Sequence, residues 1–403
     1  MILNATKVKA QPRRRKWGVV KGASSPKRSW VYRIVAIVVI IAGSAIYLVS
    51  TIHQPDILPT ILRGSFATPA SLEEWVVLAT PFFLTALAVL IPLRVGLWNI
   101  GGEGQFFAGA WLATGLAFSF THLAGGLLIP GMIVAGALGG GLWAVIPALA
   151  RVYLNVNEII STLMLNLVMV FWVAFWLVGS WHYQSSTGGT LQSRIIPAQS
   201  QLPLLHVAGG LDSGLIIALG ITALVGLYLH YSTFGYQSLL VGSGRAVALY
   251  TGVRIRRVQM IAMLSAGALA GIAGVLQLTG NSYQLTPGLS NNTGYLGIAV
   301  AILAGNSIWG LVVMAGLLSM IMLVGQNVQL YGVSSDAPFI VIGILLLLNA
   351  VGDALSQYRV MRHECGDVGA EPDGDDFLEA EGHSLAGSGA IDIEAVNTVA
   401  EAD

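Results

Sequence analysis

The sequence predicts an all-α fold, a polytopic bundle of transmembrane helices, and three observations lead there. More than half of the 403 residues (55%) are hydrophobic and only 10% are charged, with a mean hydropathy of +0.74; a soluble globular protein is excluded on that composition. The apolar residues fall into runs near the roughly 20 residues a helix needs to cross hydrocarbon, with no recurring alternation of the kind a membrane barrel shows. Glycine is abundant, at 49 residues, as expected where helices must approach closely without a hydrophobic force between them.

The elements follow in chain order. Residues 1–33 are a basic arm containing ten Lys and Arg, with no small-residue cleavage site after the next apolar run, so a retained first span is expected. Such an arm also suits anionic lipid headgroups of the bilayer. Ten spans are expected within residues 34–356: Ile34 to Ile52, Trp75 to Leu93, Ile100 to Phe120, Leu127 to Ala150, Ile159 to Ser180, Gly214 to His230, Met260 to Gly280, Tyr295 to Ala304, Gly310 to Leu330 and Pro338 to Leu355. Tyr295 to Ala304 is too short for a full crossing unless it starts earlier or is a half-helix. With both termini cytoplasmic, eighteen of the twenty basic residues lie on the inner side, and only Arg63 and Arg194 lie outside. Residues 357–403 form an acidic tail: twelve acids and no Lys or Arg from Glu364 to Asp403, a composition expected to be disordered. The single Cys365 excludes an intramolecular disulfide, and no His/Cys ligand cluster points to a metal.

The strongest orientation signal is the polar interruption between Tyr231 and Met260, which holds Arg245, Arg254, Arg256 and Arg257 and no acid. Gly242 and Gly244 are expected to break the chain ahead of a short helix, Arg245 to Tyr250, that stops at Gly252. Its Val247, Ala248 and Tyr250 suit either a groove of a soluble partner or the protein's own spans. The outer segment Trp181 to Asp212 is long enough to be ordered, as a partner surface or as a cap over helix ends.

Polarity enters the membrane at three places. Glu158, Thr162 and Asn166 recur every four residues and share one face of the fifth span. Asn99, Glu103 and Gln105 stand among glycines at a helix that is either broken or capped at its start. Gln277 lies in the outer half of a span whose Gly267, Gly271 and Gly274 form a packing stripe. Asn99, Glu103, Gln105, Thr162, Asn166 and Gln277 are therefore the candidate lining of a translocation path, with interhelical hydrogen bonding as the other reading. Asn292 to Gly297 repeats the N-x-G-x-x-G of Asn99 to Gly104, which hints at two five-span pseudo-repeats.

Several stretches together resemble a known family. LRVGLWNIGGEGQFFAGAWLAT, NVNEIISTLMLNLVMVFWVAFWLVGSW, GYQSLLVGSGRAVALYTGVRIRRV and LTPGLSNNTGYLGIAVAILAG are similar, in that order, to permease subunits of ATP-binding-cassette importers for simple sugars and nucleosides. LRGSFATPASLEEWVVLATPFFLTALAV resembles the nucleoside-type branch. The resemblance implies a plasma-membrane subunit that pairs with a second permease, identical or homologous, sits on a cytosolic ATPase and receives solute from an extracytoplasmic binding lipoprotein. It also implies that ATP is used by the partner, with no cofactor in this chain and no nucleic-acid partner. The resemblance places ATPase coupling at the polar loop, on Gly235, Tyr236, Gly242, Arg245, Ala248 and Gly252; Gly244, Arg245, Ala246 and Leu249 depart from the family pattern there. Two other functions remain as rivals. A proton-coupled transporter would use Glu103 or Glu158, and a membrane-embedded enzyme would need a nucleophile or metal set that the spans do not show.

Overall fold

The computed structural model describes residues 15–21, scattered positions between 31 and 46, and residues 57–183, 191–203, 213–305, 307–334, 336–356 and 358–364. Two units result. In one, strands β1 (Arg15–Lys21) and β2 (Tyr358–Glu364) pair antiparallel, with Arg15 opposite Glu364 and Lys21 opposite Tyr358. Pairing was not expected from the charge pattern of the arm and tail; the signal is β-branched and aromatic content, as in WGVV and YRV, which favours extended chain. Residues 365–403, with Cys365 and nearly all the tail acids, lie outside the described residues.

The other unit, residues 26–355, is a helical bundle. The described positions between 31 and 46 are helical and their apolar side chains are largely exposed, as suits a face turned to lipid. Helix α1 (Ile57–Phe66) leads to α2 (Pro69–Arg94), which starts on a capping box between Thr68 and Ser71. Then come α3 (Gly102–Ser119), α4 (Gly125–Leu154), α5 (Glu158–Val178) and α6 (Gly214–Tyr231). A short pair, α7 (Thr233–Ser243) and α8 (Arg245–Tyr250), precedes α9 (Ile255–Gln277), whose end relaxes into a π turn at Leu278–Ser282. Helices α10 (Thr293–Ala304), α11 (Ile308–Gln329) and α12 (Ala337–Ser356) complete the unit.

Among the described residues, seven helices are long and apolar enough to cross a membrane, α9 with its π turn included. Helix α3, at 18 residues, is not one of them, and α10 has only 12 residues, about 18 Å against a hydrocarbon core of about 30 Å. The expected start at Tyr295 moves back only to Thr293, so α10 is a half-helix.

Helices α2 and α9 sit at the centre. Leu84, Ala86, Leu87, Ala88, Val89 and Leu90 of α2 have no exposed surface, and Ala262, Met263, Ala266, Ala270 and Ala273 do the same in α9. In α5, by contrast, Ile160, Leu167, Phe171, Phe175 and Val178 are open, which marks it as a lipid-facing helix. Helix α9 owes its central place to missing side chains: a Cβ added at Gly271 would lie 2.1 Å from the Gly136 oxygen of α4, and one at Gly274 would lie 2.2 Å from the Phe106 oxygen of α3.

Candidate functional site

Two helices begin inside the bundle and meet at their starts. After α2 ends at Arg94, the amides of Val95 and Leu97 both bond the Pro92 oxygen at 3.0 Å and turn the chain back. The Asn99 amide then reaches the Ala88 oxygen at 3.0 Å, six residues up the helix it has just left, so the chain has climbed back about 9 Å. Helix α3 starts there. From the opposite direction, Tyr283 to Asn292 descends as irregular chain, with Asn291 and Asn292 in left-handed conformation (φ 48° and 62°), and α10 starts at Thr293. The two starts touch: a Cβ on Gly294 would lie 2.4 Å from the Glu103 nitrogen, and one on Gly102 would lie 3.1 Å from the Gly294 oxygen. Only glycine allows that approach. The repeated N-x-G-x-x-G is thus the place where two broken helices join.

The descending chain needs partners for its backbone, since lipid offers none. The outer segment provides them: Ser193 N bonds Leu285 O at 2.9 Å and Ile196 N bonds Tyr283 O at 2.8 Å, while Leu202 N bonds Thr279 O of the π turn at 2.9 Å. Of the two readings of that segment, residues 191–203 fit the cap; residues 184–190 and 204–212 lie outside the described residues.

Hydrogen bonds lock the junction. Glu103, 4% exposed, accepts the Gly294 N–H at 3.1 Å and the Ser290 hydroxyl. Its carboxylate thereby occupies the N-terminus of α10, where the helix dipole favours an anion. Asn99 and Gln105 exchange two bonds of 2.9 Å, and Asn99 Oδ1 also accepts from Gly101 N. Asn166 of α5 spans the break, accepting from Gly104 N at 2.8 Å and donating to the Ile100 oxygen at 2.8 Å and to the Tyr295 hydroxyl at 3.2 Å. Thr162 donates to the Glu158 oxygen at 2.6 Å, and its Cβ would lie 3.1 Å from a Cβ at Gly101. Five of the six predicted polar residues therefore gather at one junction, and their polar atoms are spent on backbone, on each other or on Ser290 and Tyr295. Gln277 is separate. It is 8% exposed in the last turn of α9, and its side chain has no hydrogen-bond partner among the described residues. Ser290 and Tyr295 belong to the junction and were missed by sequence reasoning; the repeated N-x-G-x-x-G beside them was the available signal.

Glu158 lies apart, at the turn between α4 and α5. It pairs with Arg151 (3.2 Å) and accepts from Trp98 N (3.4 Å), so one carboxylate oxygen closes the turn and the other ties it to the segment before α3.

The polar interruption is more helical than expected. Ser232 caps α7 by accepting from Gly235 N at 3.1 Å, and α7 runs through Gly242 to Ser243. The break lies at Gly244 alone (φ 147°). Gly242 has a packing role, since a Cβ there would lie 2.1 Å from the Arg94 oxygen; at Gly235 it would lie 1.9 Å from the Leu229 oxygen. Helix α8 covers Arg245–Tyr250 and ends ahead of a left-handed Gly252 (φ 71°), as the sequence indicated. Of the two readings of this helix, Ala248 fits packing against the protein's own spans: it is 0% exposed and anchors α8 to the bundle. The apolar surface on offer is Val247, Leu249 and Tyr250, the last 93% exposed, with Tyr236 exposed nearby.

Residues 71–350 match the family model described as branched-chain amino acid transport system / permease component. The chain belongs to this family. It is therefore a multi-pass membrane permease and not an enzyme. A guanosine ABC transporter permease protein of Bacillus subtilis, NupP, is 31% identical over 328 residues, covering 78% of this chain and 90% of its own length. A nucleoside ABC transporter permease of Lactococcus lactis, NupB, is 29% identical over 72% of this chain and 81% of its own. A glucose ABC transporter permease of Haloferax volcanii, TsgB13, is 28% identical over 81% of this chain and 88% of its own. The polar junction, the glycine seam between α4 and α9 and the α7–α8 pair all fall inside the matched region.

Proposed function

We propose that this permease forms half of the pathway of an ATP-driven importer for a neutral nucleoside or sugar-like solute. The relatives support that class by name: guanosine, nucleoside and glucose. One observation in this chain carries the choice against an amino acid. Half-helix N-termini are the places where broken-helix transporters bind anionic substrate groups, and here the start of α10 is filled by the protein's own Glu103. An amino-acid carboxylate has no free dipole to meet there, whereas a neutral solute needs none.

In this reading Gln277 faces the path, because its amide has no partner among the described residues. Asn99, Glu103, Gln105, Thr162 and Asn166 hold the broken helices that shape the wall. The cytosolic ATPase docks on the exposed Val247, Leu249 and Tyr250 of α8, and Arg245 and Gly252 bound the element that it moves. A second permease, a binding lipoprotein outside and two cytoplasmic termini complete the arrangement. The pairing of β1 with β2 supports placing both ends on one side, because strands at the two ends of the chain meet only after an even number of crossings; the choice of the cytoplasmic side rests on the basic residues.

The test is uptake of labelled guanosine, glucose and leucine into vesicles holding the permease with its partner subunits. Guanosine or glucose uptake that needs ATP and survives collapse of the proton gradient is expected. Leucine uptake alone, or uptake driven by the gradient without ATP, would overturn the reading.

A further inference from the structure

Beyond the junction, a cleft of about 320 Å³ opens between the first turns of α2, the π turn after α9 and the last turns of α11. Its polar walls are Glu73, Glu74, Asn281, Asn291 and Gln326. The helix directions place it at the end of the bundle away from Arg94 and Arg254, since α2 starts at the cleft and α9 finishes there. None of the five polar side chains has a hydrogen-bond or ion-pair partner among the described residues; Glu73 and Gln326 are half-buried, and Glu74, Asn281 and Asn291 are open to solvent. The remaining lining is Ala70, Val77 and Leu78, and no cation lines the cleft.

The walls are held by bonds that do not use those five groups. Trp75 donates its indole N–H to the Gly316 oxygen at 3.0 Å and ties α2 to α11. Asn327 donates to the Ser65 hydroxyl at 2.8 Å and ties α11 to α1. A preformed concavity with unspent polar groups is what a small-molecule site requires, and its volume lies at the small end of the roughly 300–1,000 Å³ usual for such sites.

We infer that this cleft is an outer recognition site for a neutral, polyhydroxylated solute of monosaccharide or nucleoside size. Carboxylates accept hydrogen bonds from vicinal hydroxyls, and side-chain amides both donate and accept, so two acids with three amides match a sugar ring or a ribose and the polar edge of a base. The same acids repel a phosphate, and with no cation present an amino-acid carboxylate has no counter-charge. The inference rests on the proposed substrate class and sharpens it: the cleft selects against phosphorylated and zwitterionic solutes before they reach the junction.

Cysteine protection tests this apart from transport. In a Cys365→Ser background, which removes the only native thiol, Asn281→Cys and separately Gln326→Cys are made in the full chain. Each is labelled in membrane vesicles with a small thiol reagent, with and without guanosine, glucose, leucine or guanosine monophosphate. Guanosine or glucose should slow labelling at both positions, and leucine and the nucleotide should not. With Glu73→Gln and Glu74→Gln added, the concentration giving half protection should rise about tenfold, the loss of one good hydrogen-bond interaction. Protection by leucine, by none of the solutes, or only by a soluble binding protein without solute would overturn the inference. Uptake by the parent chain is measured in parallel. Guanosine or glucose uptake without protection sinks the cleft and leaves the transport reading; protection without such uptake does the reverse.

Discussion

The seam between α4 and α9 and the junction of α3 with α10 both hold helices together in hydrocarbon, but by opposite means. At the seam, Gly140 faces Gly267 and Gly136 faces Gly271; an added Cβ at Gly140, Gly267 or Gly271 would lie only 2.1–2.4 Å from the opposing carbonyl oxygen, and one at Gly136 would lie 2.2 Å from the Val275 Cγ2. Contact there depends on atoms that are absent. At the junction, Glu103, Asn166, Asn99 and Gln105 supply directional bonds to backbone and to each other. Helices in lipid lack a hydrophobic drive to associate, so close packing and hydrogen bonding are what remain. A seam made by shape tolerates no addition, whereas a junction made by bonds tolerates a change that keeps the donors and acceptors.

The largest effect is expected at the seam. Gly140→Ala puts a methyl group 2.1 Å from the Gly267 oxygen, whereas at the neighbouring Gly141 the first atom met is 3.6 Å away. Gly140→Ala should sharply lower the yield of folded, monodisperse protein in size-exclusion chromatography. Gly141→Ala should stay within about 0.5 kcal/mol of the parent, the usual range for a substitution that disturbs no contact. Equal effects at the two positions would remove the contrast on which the comparison stands.

Next comes Asn166→Leu, which keeps the volume close and deletes three bonds. At about 0.6–1.7 kcal/mol for each hydrogen bond inside a membrane protein, the loss should be about 2–5 kcal/mol, seen as a lower melting temperature in detergent. Unchanged melting with lost transport would assign Asn166 to solute and not to the wall.

A smaller change is expected for Glu103→Gln, because the amide can still accept from Gly294 and donate to Ser290. Only the charge facing the start of α10 is lost, a loss of about 0.3–2 kcal/mol. The same substitution should not switch transport to or from dependence on a proton gradient; such a switch would revive the proton-coupled rival.

The smallest effect on stability belongs to Tyr250→Ser. With its side chain 93% exposed, melting should not change, while co-purification of the ATPase should fall. Ala248→Glu separates the two roles differently: it buries a charge under α8 and should cost stability first. Normal ATPase association in Tyr250→Ser would move the docking surface away from α8.

Much of this was legible in the chain itself. From Trp75 onward the apolar runs located the helices to within about six residues, while most of the expected Ile34 to Ile52 span lies outside the described residues; Gly252 located the end of α8, and the four-residue spacing of Glu158, Thr162 and Asn166 put all three on the buried face of α5. Each is a local property: a residue's side chain, its backbone preference or its helical phase. The repeat of N-x-G-x-x-G was visible too, but not that Asn99 to Gly104 and Asn292 to Gly297 meet, because contact across 190 residues leaves no mark in one sequence.

What only the tertiary structure decided is which way each group turns and at what depth each helix starts. Ala248 and Val247 are adjacent and both apolar, yet one is buried and the other open. Gly242 reads as a helix breaker but serves as a point of contact with Arg94. Glu103 reads as a charge that hydrocarbon rejects but caps a half-helix from another part of the chain. Composition alone fixed that this chain lives in a membrane, since apolar surface in water is costly whatever its neighbours. Inside the bilayer that gradient vanishes, lipid and protein are equally apolar to a leucine, and only the helices that surround a residue determine its place.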